Sequence, residues 1–149
     1  MPAFSLRPRT PSDEPFVRDL IARWKAEEMG LHELPAEAFH QVDMQIDAMD
    51  FGCPGAQSLI IENADGRPTG RAVLHPEASA LRVAELILEP RSRGRGIGAA
   101  VLTRVMADAQ AKGLPLRLSV MAASPARNLY RRLGMAETCR QGPMILMEA

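Results

Sequence analysis

The chain has 149 residues, 46% hydrophobic and 24% charged, enough for one domain over residues 1–149 with a closed apolar core. Its formal net charge is zero, which argues against nucleic acid as a partner, because a phosphate footprint calls for a basic excess. No apolar run is long enough to cross a bilayer, no leader-like segment opens the chain, and Cys53 and Cys139 lack metal-ligand spacing; the expectation is a cytoplasmic protein with free thiols, no metal and no membrane partner.

In chain order, Phe4-Ser5-Leu6-Arg7 alternates as a short strand that stops at Pro8. Thr10 is a helix N-cap, with Pro11 at the first helical position and Asp13 in the first turn. Phe16, Val17, Leu20, Ile21 and Trp24 then recur at helical spacing until Gly30 closes the helix. A second helix is expected from Pro35 to Met49. Strands follow over Ser58 to Ile61, Thr69 to Leu74 and Leu81 to Leu88, joined by Asn63-Ala64-Asp65-Gly66 and by Pro76 to Ser79; connections this short imply an antiparallel meander.

A long helix comes next, with Ile97, Val101, Leu102, Val105, Met106 and Ala109 as its apolar stripe and Gly113 and Pro115 at its end. Leu116 to Val120 is a strand. Ser124 caps a further helix with Pro125 at its first position, Leu129, Tyr130 and Leu133 facing inward and Gly134 stopping it. Met135 to Cys139 and Pro143 to Met147 close the chain as two strands joined around Gln141-Gly142. The order strand, two helices, three strands, helix, strand, helix, two strands describes an α/β sandwich, a mixed and mostly antiparallel sheet with helices on both faces.

Charge is unevenly spread. Acids crowd the segment from Glu27 to Asp50, and arginines from Arg91 to Arg140, which suggests a basic site for an anionic ligand and a separate acidic region. The acids either attract a cationic amine or form a solvated helix face, and the second reading is the favoured one.

The most informative segment is Leu86-Ile87-Leu88-Glu89-Pro90-Arg91-Ser92-Arg93-Gly94-Arg95-Gly96-Ile97-Gly98-Ala99. A strand runs into a turn with glycines at alternate positions, and the turn into a helix. Glycine lets main-chain N–H groups approach a ligand closely, and a helix N-terminus favours anions, phosphate above all. Arg91, Arg93 and Arg95 add guanidinium charge suited to phosphate. Gly94, Gly96 and Ala99 also satisfy the dinucleotide pattern G-x-G-x-x-G/A. That pattern belongs to a parallel βαβ unit with an acid about 20 residues on. Here the preceding strands read as antiparallel, and Leu116 to Val120 ends in Met121-Ala122-Ala123 without an acid. No Lys-Ser/Thr follows the glycines, which speaks against a nucleoside triphosphate.

Two motifs resemble the GNAT superfamily of acyl-CoA N-acyltransferases. Arg93, Gly96 and Gly98 fill the pyrophosphate motif Q/R-x-x-G-x-G/A after a strand ending Leu88-Glu89-Pro90, and Ser124-Pro125-Ala126-Arg127-Asn128-Leu129-Tyr130-Arg131-Arg132-Leu133-Gly134-Met135 is similar to N-P-A-R-x-L-Y-x-x-L-G-F of one branch. Leu6-Arg7-Pro8 with Asp13-Glu14-Pro15-Phe16, and Leu146-Met147-Glu148, extend the likeness over essentially the whole chain. Ser124 departs from the usual asparagine and Met135 from phenylalanine; serine still caps the helix, and methionine keeps the apolar role.

The resemblance implies a three-layer sandwich and transfer of an acetyl group from acetyl-CoA to a primary amine on a small molecule or peptide. It implies that main-chain groups from Arg93 through Gly94, Arg95, Gly96, Ile97, Gly98 and Ala99 hold the CoA pyrophosphate, and that Leu86, Ile87 and Leu88 pair with the pantetheine arm, with Ser124 a further cofactor contact. The strand carrying Leu86 to Leu88 is expected to splay from Leu116 to Val120, with an N–H near Leu86 as oxyanion donor. Tyr130 is the expected general acid and a further CoA contact: a phenol near pKa 10 can donate to a thiolate whose thiol lies near 8.5. Glu85 is the candidate base, working through water, with His75 the weaker choice; Trp24 and Met29 would wall the acceptor pocket, with His32 and His40 as further candidates. A homodimer is one assembly that the resemblance allows. The competing reading is a non-catalytic acyl-CoA sensor of the same fold.

Overall fold

The computed structural model describes residues 2–149. Its strands are β1 Phe4–Pro8, β2 Gln57–Asn63, β3 Pro68–Pro76, β4 Leu81–Leu88, β5 Leu116–Met121, β6 Ala136–Gln141 and β7 Met144–Glu148. Its helices are α1 Glu14–Glu28, α2 Phe39–Phe51, α3 Ile97–Ala111 and α4 Ala126–Arg132. The order of elements is the expected one, and the boundaries move only by a few residues. The largest shift is at α2, where a 3-10 turn over Ala36–Ala38 precedes the helix, which starts at Phe39 and runs to Phe51. At the start of the chain a 3-10 turn over Pro11–Asp13 similarly precedes α1. Asp13 organises that entry: its carboxylate accepts both Arg7 Nη1 and Nη2 at 2.8 Å and the Thr10 N–H at 2.8 Å.

One seven-stranded sheet runs β1-β2-β3-β4-β5-β7-β6. Every neighbouring pair is antiparallel except β4–β5. The two faces of the sheet carry separate cores. On one, Val17, Leu20 and Ile21 of α1 and Val42 and Ile46 of α2 pack on Ile60 and Ile87. On the other, Val101, Leu102 and Val105 of α3 pack on Leu116, Leu118, Val120, Ile145 and Met147, with Tyr130 and Leu133 of α4 partly buried beside them. Each fully buried Leu, Ile or Val contributes about 1.5–3 kcal/mol relative to exposure, which is what holds the amphipathic helices against the sheet. Among the described residues no helix is long and apolar enough to cross a membrane. Cys53 and Cys139 are free thiols.

Two irregularities in the sheet determine which side chains meet at β4. In the β3–β4 ladder, Val73 lies opposite Glu85 but Leu74 lies opposite Val83, so Ala84 is an extra residue on β4. Side chains alternate faces along a strand, and one added residue reverses the alternation beyond it. Leu81 and Val83 therefore face the α3 core, while Glu85 and Ile87 face α1 and α2. The second irregularity is between β4 and β5, which pair only at Leu81–Leu116 and Arg82–Arg117 before they part.

Candidate active site where β4 and β5 part

Beyond Arg82 the β5-facing edge of β4 is free of strand pairing, and a cavity of about 380 Å³ lies there. Val83 through Ile87 form one wall and Leu118 and Ser119 of β5 another; Trp24 of α1, Gln45 and Met49 of α2, Leu102 of α3 and Tyr130 of α4 complete it. Four helices and the two parted strands thus converge on one space. The expected splay of β4 from β5 is present, and Glu85, Leu86, Ile87 and Tyr130 share the cavity wall, while Leu88 lies outside it.

Tyr130 is half-buried, and burial pushes its phenol above the ordinary tyrosine value. The hydroxyl therefore carries its proton across the neutral range. Glu85 is buried, 8% exposed, rather than a solvated strand carboxylate. Its Oε1 accepts Arg71 Nε, and its Oε2 accepts Gln45 Nε2 at 2.8 Å. His75 is engaged elsewhere, its Nε2 hydrogen-bonding the Met49 carbonyl at 2.8 Å. Neither His32 nor His40 is part of the cavity wall, and Met29 is exposed, so of the expected acceptor-side residues only Trp24 lines the space.

The glycine-rich turn lies at the far end of β4. Gly94 and Gly96 have φ of +72° and +83°, a region that costs other residues a steric penalty, and Gly96 is the N-cap of α3. The first N–H groups of α3 have no partner within the helix, and the macrodipole places partial positive charge there. The Arg93 N–H, the first of the groups expected to hold the pyrophosphate, is bonded to the Pro90 carbonyl at 3.2 Å. Ile97 is buried in the core, while Gly98 lies against the Leu88 side chain, where an added Cβ would meet Leu88 Cδ1 at 3.8 Å.

The arginine side chains of the turn are arranged differently from expectation. Arg93 donates from Nε to the Leu88 carbonyl at 2.9 Å and from Nη1 to Glu27 of α1 at 2.6 Å. Arg91 is turned to Glu89 at 2.9 Å, and Arg95 is exposed. Glu27 and Asp43 pair with arginines while staying exposed to solvent, and the side chain of Asp50 alone of the three is buried, against Arg71. The helix starts at Ala126 with Pro125, not Ser124, as its N-cap; Ser124 lies one residue earlier, where its Oγ accepts the Ala126 N–H at 3.2 Å, and it is not part of the cavity wall.

Sequence reading did not single out Arg71 or Gln45, and it met Asp50 only as the end of the acidic run. Arg71 sits inside an apolar strand, and only its complete burial shows that it needs charged partners. A lone arginine within an apolar strand pattern is the one sequence signal that could have found it.

The sequence model of the Acetyltransferase (GNAT) family matches residues 19–135. No curated protein sequence matches the chain. Among solved structures, an acetyltransferase from Thermus thermophilus is similar at 21% identity with a TM-score of 0.77, covering 100% of this chain and 99% of that one. A spermidine N-acetyltransferase from Vibrio cholerae, solved with CoA and spermine, is similar at 18% identity and TM-score 0.73, with 98% and 94% covered. The PaiA N-acetyltransferase of Thermoplasma acidophilum, in complex with coenzyme A, is similar at 19% identity and TM-score 0.71, with 98% of each chain covered. At these identities the structural likeness establishes the fold.

Proposed function

The chain belongs to the GNAT acetyltransferase family, and on that premise we propose that residues 1–149 form an N-acetyltransferase domain that moves an acetyl group from acetyl-CoA to a primary amine. The observation that carries this reading is the cavity between the parted β4 and β5, which has a buried carboxylate and a protonated phenol in its wall and a glycine-rich helix N-terminus at the far end of the same strand.

The free N–H groups from Gly94 to Ala99 bind the pyrophosphate, which suits the partial positive charge of the α3 terminus. The unpaired edge of β4 at Leu86 to Leu88 receives the amide-bearing arm as an added strand. The thioester supplies an activated acyl carbon and a thiol leaving group. An N–H near Leu86 stabilises the negative charge that develops on the carbonyl oxygen when the amine nitrogen bonds to that carbon. Glu85 first takes a proton from the bound ammonium through a water, which frees the nitrogen lone pair for attack; as the C–S bond breaks, Tyr130 gives its proton to the sulfur, the second proton of the acylated nitrogen passes to solvent, and Tyr130 is reprotonated from solvent. The products are the N-acetylated amine and CoA.

The indole of Trp24 in the cavity wall favours an acceptor that arrives as a cation. Polyamines are therefore the first acceptors to try, as the spermine-bound Vibrio cholerae structure also suggests. The test is melting of the purified protein with CoA or NAD, followed by acetyl-CoA turnover with spermidine, L-lysine and a short peptide under thiol detection. CoA and not NAD raises the melting temperature, and thiol appears only when amine is present. Failure of CoA to bind overturns the proposal, and binding without thiol release for any amine leaves the sensor reading in its place.

A further inference from the structure

Acyl transfer at this site needs the Glu85 carboxylate held in one place, and nothing adjacent in sequence holds it. Its two anchors come from distant elements. Arg71 of β3 is fully buried, 0% exposed, and donates to Oε1; Gln45 of α2 donates to Oε2 at 2.8 Å. Arg71 is itself held from the other end, where Nη1 donates to Asp50 Oδ1 at 2.8 Å and to Ser58 Oγ at 3.4 Å. Its Nη2 is buried without a hydrogen-bond partner among the described residues, so the guanidinium meets Glu85 through Nε alone. The carboxylate is thereby gripped at one oxygen by Arg71 and at the other by Gln45, with lone pairs left over on both.

A guanidinium between two carboxylates, with side chains 0%, 3% and 6% exposed, is a poor device for stability. Asp50 Oδ2 also faces Arg9 Nε at 3.5 Å, so four charges share the cluster; desolvating them consumes most of the Coulombic gain, and apolar side chains of similar volume serve as well or better. What such a cluster does supply is orientation. Position matters here because the extra residue Ala84 turns Glu85 onto the α2 face of the sheet, where Gln45 and Asp50 lie and where Gln45 and Met49 wall the cavity.

We propose that Arg71, anchored by Asp50 and assisted by Gln45, is the positioning residue of the site: it sets Glu85 in the cavity wall and ties α2, the acceptor-side wall, to the two strands beneath it. This rests on the acyl-transfer reading of the cavity.

The test compares Arg71→Lys and Gln45→Leu with the wild-type protein, using acetyl-CoA with spermidine, L-lysine and a short peptide as probe amines. Lysine keeps the charge but cannot bridge Asp50 and Glu85 as a planar fork does. Gln45 is only half-buried, so its replacement leaves a folded protein even if Arg71→Lys does not fold. Misplacing a reacting group by about 1 Å costs up to about 100-fold in rate. The expected result is a kcat lower by about 10- to 100-fold in each variant, with the acetyl-CoA KM and the CoA-induced melting shift at wild-type values. A purely structural role lowers the melting temperature and leaves kcat per folded molecule unchanged, and that result overturns the inference. A raised amine KM at unchanged kcat overturns it too, because it reports lost ground-state binding. Wild-type turnover with unaffected variants defeats this inference alone; no wild-type turnover with any of the amines defeats the acyl-transfer reading and this inference with it.

Discussion

Gly70 of β3 offers a sharp test of the geometry, because it lies opposite Leu88 at the end of β4 that runs into the glycine-rich turn. A Cβ added there would stand 2.3 Å from the Ile87 carbonyl oxygen, 2.8 Å from Leu88 Cδ2 and 3.1 Å from Leu88 Cα. Two of these atoms belong to the backbone, so no rotamer change relieves the contact. Restoring ordinary contact requires the two strands to part locally by about 1 Å in a close-packed interior. Overpacking of this kind costs about 1–3 kcal/mol, and in a domain of this size each kcal/mol lowers the melting temperature by about 2–4 °C. Gly70→Ala is therefore expected to melt about 4–8 °C lower, taking about 2 kcal/mol as the central value. It also displaces the strand edge assigned to the CoA arm, so CoA affinity by titration calorimetry falls about tenfold, or about 1.4 kcal/mol. The comparison is Gly66→Ala in the β2–β3 turn, where φ is +77° and no atom lies within 4 Å of an added Cβ. There only conformational strain of about 1 kcal/mol applies, and CoA affinity is unchanged. A Gly70→Ala protein that melts and binds CoA like wild type, or one less affected than Gly66→Ala, would refute the reasoning.

The remaining predictions concern the acid, the cradle and the helix entry. Tyr130→Phe lowers kcat by about 100-fold at unchanged acetyl-CoA KM. Because burial raises the phenol, the wild-type kcat profile shows no alkaline fall from this group until above the ordinary tyrosine value of about 10, which a pH–rate series measures. Gly96→Ala forces a left-handed residue at the α3 N-cap, where an added Cβ would also meet Pro2 Cδ at 3.7 Å, costing about 1 kcal/mol of stability; relief of that strain re-aims the first N–H groups of α3, so CoA binding weakens about tenfold in the same calorimetric titration. At Asp13 the Arg7 guanidinium, followed by the Thr10 N–H and hydroxyl, holds the carboxyl far below its ordinary value against the opposing effect of burial. A depressed folded-state value means that the stabilisation is fully present above the unfolded value of about 3.9 and is lost as pH falls through and below it. Asp13→Asn is accordingly less stable than wild type by about 2 kcal/mol at neutral pH, and the difference shrinks as denaturant melts are taken below about pH 4. A difference that persists or grows in acid contradicts the assignment.

Local chemistry made most of the fold legible in the sequence. Helical periodicity marked α1 and α3, prolines and glycines marked the element ends, and Asn63 to Gly66 marked a hairpin, because each is a statement about φ and ψ within a few residues. The strand–glycine turn–helix at Leu86 to Ala99 was readable for the same reason, as was Tyr130 on its short helix. What only the tertiary structure decided concerns partners far apart in the chain. The extra residue Ala84 reverses the faces of β4, so alternation counted from Leu81 does not say that Glu85 meets α2. Arg71 acquires meaning only once Asp50 and Glu85, 21 residues before and 14 after it, arrive at its two ends. Arg93 is drawn to Glu27, 66 residues away, and Gly70 is tight only because the end of β4 crosses beside it. Strand register and buried ion pairs are settled by competition among long-range contacts, whose energies depend on what surrounds them, and neither leaves a local pattern in the chain that forms them.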